Sequence, residues 1–155
     1  PACYTNWHST HQCTLYFRWT KYWFAPKGQS KTYGVDIVLG PNTREQVPEF
    51  ATIELDNIQV KGKTVGLQIY ALMGDEAVAK DPEFVEVRDT VDGWMKAYRA
   101  QEWEKARQLI ARIRETGGRF KLEILCELYE NRIKQYESEP PPPDWDGVFI
   151  ATTKW

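Results

Sequence analysis

Two spacings of apolar residues divide this chain. From residue 28 to 74 they come in short runs bounded by glycine, proline and asparagine, and from 81 to 138 they recur every third or fourth position. Residues 28–33 read as the end of a helix that Gly34 stops, and Val35-Asp36-Ile37-Val38-Leu39 reads as a strand. Gly40-Pro41-Asn42 is a turn signal. Asn42 or Thr43 is placed to cap a short helix running through Val47, which Pro48 closes. A strand at Phe50–Leu55 leads into a hairpin. Its arms are Leu55-Asp56-Asn57-Ile58-Gln59-Val60 and Val65–Leu72, its turn is Lys61-Gly62-Lys63, and Gly74-Asp75 ends it.

The second spacing predicts three helices. Asp81-Pro82 opens the first, with aspartate as cap and proline where no N–H is needed. Phe84, Val87, Val91, Trp94/Met95 and Tyr98 then form one face. A second helix begins at Gln101 or Glu102, carries Trp103, Ala106, Leu109/Ile110 and Ile113, and ends at Gly117-Gly118. A third carries Leu122, Leu125, Leu128/Tyr129, Ile133 and Tyr136. Pro140 to Pro143 stops it, and Asp144 to Ile150 reads as a turn and a short strand-like tail. Short strands mixed with helices indicate an α/β or α+β sheet edge, and with the helical run that follows α+β is the expected class.

Composition sharpens this picture in one place. The chain has 155 residues, is 42% hydrophobic and carries a net charge of -2, which suits a packed core and gives no nucleic-acid footprint. No apolar run is long enough to span a bilayer, and no basic-then-apolar leader is visible in the chain. Cys3, Cys13 and Cys126 are too few and too scattered for a disulfide framework, which favours a reducing, cytoplasmic setting. The charge is uneven, since no Asp or Glu precedes Asp36 while both histidines and three of seven tryptophans lie in residues 1–27. Such a break reads as segments of different origin or role.

The candidate chemistry is sparse. Lys61 and Lys63 on a tight turn suit a triphosphate as mobile point charges, or are simply solvated turn residues. Gly62-Lys63-Thr64 is not a Walker loop, because Asn57 stands where the first glycine is required and a strand follows instead of a helix. His8, His11, Cys3 and Cys13 match no standard zinc spacing. Asp144 and Asp146 read as a solvated turn, and Trp94, Trp103 and Tyr98 as core aromatics. No Ser-His-Asp or Cys-His arrangement is readable.

Two ordered blocks add a resemblance. Lys31-Thr32-Tyr33-Gly34-Val35-Asp36-Ile37-Val38-Leu39, and then Leu55-Asp56 with Ile58, Val60, Lys61-Gly62-Lys63 and Ile69-Tyr70, resemble the end of the class III adenylate/guanylate cyclase catalytic domain. The tail Pro140-Pro141-Pro142-Pro143-Asp144-Trp145-Asp146-Gly147 resembles the end of bacterial membrane-anchored members of that family. Tyr98-Arg99-Ala100-Gln101-Glu102-Trp103-Glu104-Lys105-Ala106 resembles the turn between paired helices of a tetratricopeptide repeat, of which one and a half would fit. The cyclase resemblance implies part of a ferredoxin-like cyclase sheet, conversion of ATP to cyclic AMP and pyrophosphate, two magnesium or manganese ions, and a site shared across a homodimer. It also implies that Lys61 touches the substrate phosphates.

The resemblance stops before Gly28. The family's Asn-Leu-x-Ser-Arg-type helix is replaced by Lys21-Tyr22-Trp23-Phe24-Ala25-Pro26-Lys27, and its two metal-binding aspartates have no counterpart. The expected organisation is therefore an atypical segment 1–27 (a shifted frame or truncation junction), a cyclase part 28–74, a helical extension 81–138 and a Pro-rich tail 139–155. That implies no catalytic or metal-ligating residue in this chain, no metal held by it and no activity alone. A non-enzymatic helical interaction module is the competing expectation, and its mark would be an exposed apolar groove along 83–138.

Overall fold

In the computed structural model, residues 29–59 and 64–150 are described. Helix α1 (Gln29–Tyr33) leads into strand β1 (Val38–Leu39), helix α2 (Pro41–Gln46) and strands β2 (Ala51–Gln59) and β3 (Leu67–Gly74). Helices α3 (Glu76–Ala79), α4 (Pro82–Arg99), α5 (Trp103–Thr116) and α6 (Glu123–Ser138) follow, with a 3-10 turn at Gly118–Phe120 before α6. Strand β4 (Phe149–Ile150) closes the described order. The molecule is α+β, with four strands in the order β1-β3-β2-β4.

The sheet is antiparallel except at one edge. β3 pairs antiparallel with both β1 and β2, whereas β4 lies parallel to β2, with Ile58 opposite Phe149 and Gln59 opposite Ile150. A parallel neighbour needs a long crossover, and here α3 to α6 supply it. β2 carries a bulge, since Glu54 faces Tyr70 and Asp56 faces Ile69, leaving Leu55 as the extra residue. The bulge lets two adjacent residues, Leu55 and Asp56, both be buried.

One core joins sheet and helices. Ile53, Leu55, Ile58, Ile69 and Ala71 pack in the same buried cluster as Phe84, Val87, Val91 and Trp94 of α4, Ile110 and Ile113 of α5, and Leu125, Tyr129 and Ile133 of α6. The helical spacing thus turns inward onto the sheet. Among described residues, the large apolar side chains left exposed are Val65, Ile124 and Ile150, which do not form a groove along the helices.

Several boundaries differ from the expected ones. β1 is two residues rather than five, although Ile37 still accepts a backbone hydrogen bond from Leu72 N–H at 3.1 Å. The cap of α2 is Gly40 with Pro41 at the first helical position, not Asn42 or Thr43, because proline's fixed φ already suits that position. β2 runs unbroken from Ala51 to Gln59, merging the expected strand and hairpin arm. Helix α3 is an addition to the elements that the spacing predicts. Its cap is Asp75, whose Oδ1 accepts from the N–H groups of Ala77 and Val78 at 3.0 and 3.1 Å. Asp81 caps α4 as its spacing predicts, accepting from Glu83 N–H at 2.9 Å. The expectations placed on residues 1–27 fall outside the described residues.

Candidate functional site: the base of the basic hairpin

The hairpin that carries the expected phosphate contact is anchored at its base. Lys61 itself, with Val60, Gly62 and Lys63, lies outside the described residues, and so do Cys3, His8, His11 and Cys13. The described strand ends flanking that turn converge with the C-terminal tail on a buried polar centre.

Asp56 is that centre. It is 1% exposed, and its Oδ2 accepts from Tyr33 Oη–H at 2.6 Å and from Arg132 Nη1–H at 2.7 Å. Its Oδ1 accepts from the Asn57 backbone N–H at 2.8 Å. A carboxylate so far from water is tolerable only when paired and hydrogen-bonded, and three donors from α1, β2 and α6 meet that need. Arg132 is 6% exposed. Burial works against its charge, but Asp56 outweighs that and raises its affinity for a proton above the usual arginine range. The Phe149 ring lies over the guanidinium at 3.7 Å to its centroid, a cation–π contact that joins the tail to the same centre.

Two tyrosines complete the cluster. Tyr129 Oη–H donates to the Leu55 carbonyl at 2.7 Å, the carbonyl of the bulge residue. Burial, followed by the nearby Asp56 charge, holds the hydroxyls of Tyr33 and Tyr129 above the ordinary tyrosine range, so both remain neutral donors. This chemistry is that of a fixed structural charge pair. The carboxylate and both hydroxyls already have their partners, and Asp56 lacks the free access to solvent that a general base requires.

Next to it sits a second assembly built on aromatic rings. Tyr98 makes edge contacts with Trp103, Tyr129 and Trp145 at 5.8, 4.9 and 5.2 Å, and Tyr136 packs on Trp145 at 5.1 Å. Tyr98 and Trp94 are buried core residues, so these rings form packing and not an open cage. Asp146 Oδ1 accepts from Val148 N–H at 3.0 Å, a turn-forming bond.

Among the described residues no group of three or more His, Cys, Asp or Glu side chains comes together to hold a metal ion. No helix among them is long and apolar enough to cross a membrane. Sequence reasoning singles out Lys61 but passes over Asp56, Arg132 and Tyr33. The available signal is an aspartate between two apolar strand residues, Leu55 and Ile58. Compared with protein-family models, with curated proteins and with solved structures, the chain matches none.

Proposed function

We propose that residues 28–155 are the C-terminal part of a class III adenylate cyclase, in which Lys61 contacts the phosphates of ATP. The observation that carries the reading is the hairpin. Its arms, β2 and β3, pair antiparallel on either side of Lys61-Gly62-Lys63, after a short helix, Gly34 and strand β1 in the order the resemblance implies. A lysine ammonium on such a turn acts as a strongly hydrated point charge that follows a flexible triphosphate. In the intact enzyme, magnesium or manganese would activate the ribose hydroxyl and neutralise phosphate charge as ATP closes to cyclic AMP and pyrophosphate. A homodimer would complete the site, and its setting would be cytoplasmic.

On this reading the chain by itself is expected to form no cyclic AMP. No Asp precedes Asp36, and residues 21–27 offer no counterpart to the family's transition-state Asn and Arg. The inward-facing apolar stripes of α4 to α6 weigh against the helical interaction module. The test is titration of the 155-residue chain with ATP, following backbone amide resonances of residues 61–63. ATP-dependent shifts there, lost in Lys61→Ala, are expected. Their absence in the wild type overturns the phosphate contact. Cyclic AMP production by pure chain with magnesium or manganese overturns the stated inactivity.

A further inference from the structure

We propose that Trp145 and Phe149 are positioning residues. Through them the tail segment 145–150 holds the two strand ends, Asn57–Gln59 and Gly66–Leu67, that bound the basic turn. What the turn does there rests on the phosphate reading above, but the positioning itself does not.

Two contacts of the tail anchor it on the helices, and two more touch those strand ends directly. The Trp145 ring is gripped by Tyr98 and Tyr136, and its Nε1–H donates to the Val148 carbonyl at 3.1 Å, which fixes how the chain leaves the aromatic cluster. Gly147 then adopts φ +81 with its Cα against the Arg99 side chain, which pairs with Glu54 of β2, so a side chain at 147 would lift the tail away. Val148 seats on Gly66. A Cβ at 66 would stand 2.8 Å from Val148 Cγ2 and 2.6 Å from Asn57 Oδ1, so Gly66 lets tail, β2 and β3 close on one point. Finally Phe149 covers Arg132 while β4 extends the sheet beside Ile58 and Gln59.

A two-residue parallel strand has little stability of its own. Its pairing therefore depends on the anchors before it, and the strand end it pairs with is the one that enters the turn. The tail that follows the helices thus acts on the hairpin that precedes them.

The experiment is residue-resolved amide hydrogen exchange on the full 155-residue chain, wild type, Trp145→Ala and Phe149→Leu. Phe149→Leu keeps an apolar side chain at the sheet edge, a milder change than Phe149→Ala, while removing the ring over Arg132. Exchange at residues 57–59 and 149–150 is expected to quicken at least about tenfold in either variant, with Ile53, Ala71 and Ile110 unchanged. No change at 57–59, or the same acceleration at every core amide, overturns the proposal. Titration with inorganic tripolyphosphate separates the two readings. If the wild type shows no shifts at residues 61–63 while exchange at 57–59 responds to Trp145→Ala, the strap stands and the phosphate contact falls. If the wild type binds and Trp145→Ala leaves both binding and exchange intact, the strap falls and the phosphate contact stands.

Discussion

Asp56 and Arg132 make an ion pair out of reach of water, and such a pair is costly to break from one side only. Arg132→Met strands the Asp56 carboxylate with Tyr33 as its remaining side-chain donor and is expected to lower unfolding free energy by about 3–5 kcal/mol in urea titrations. Asp56→Leu with Arg132→Met should cost clearly less than the single change, because the desolvated charge is gone. Cys126 adds a pH dependence. Burial is the main cause that pushes its thiol up from 9.0 to about 11. The unfolded chain releases that proton first, so stability is complete below about pH 9 and declines as pH rises toward 11. Cys126→Ala should flatten that decline in chemical-denaturation curves taken at several pH values.

At the scale of elements, the caps and the bulge decide where strands and helices stop. Asp81 caps α4 and also receives Arg119 Nη1–H at 2.6 Å, but that ion pair is exposed. The cap therefore contributes more than the ion pair. Asp81→Ala is expected to cost about 1 kcal/mol, with Arg119→Ala costing well under that in the same urea assay. α5 is tied to its neighbours from outside by Arg112 to Glu86 at 2.7 Å and Arg114 to Glu130 at 2.9 Å, and more firmly from inside by Ile110 and Ile113. Gly66→Val tests the close approach at the hairpin base. Its branched side chain meets Asn57 and Val148, so β4 should detach, seen as lost protection at residues 149–150 and a lowered Tm.

For the whole molecule, the shared core makes a clear prediction about cooperativity. Sheet and helices bury their apolar faces against each other, so melting followed by helical circular dichroism and by hairpin amide signals should give coincident transitions. Two separated transitions would mean that residues 28–74 and 81–138 fold as independent units. The tail also belongs to this scale. It returns past α4 and α5, with Gln101 Nε2–H donating to the Pro142 carbonyl at 3.2 Å, and its last described residues form a strand beside β2.

The amino-acid sequence by itself determined the class and the local punctuation. Asp81-Pro82 starts a helix, Gly117 ends one, and the third-and-fourth spacing of Phe84, Val87, Val91 and Trp94 names the face that is buried. These are local effects, set by cap geometry and by which side chains can share a face. The buried centre was not legible in the same way. Strict alternation from Ile53 and Leu55 would turn Asp56 to the opposite face, and the bulge that reverses this depends on the register with β3. Arg132 lies 76 positions from Asp56, so helical spacing marks it only as one polar residue on α6. Nor does any local signal pair Phe149 with Arg132 or lay β4 beside β2. Only the tertiary structure decided these, because a charge is buried, and a two-residue strand held, only by partners that folding brings from elsewhere in the chain.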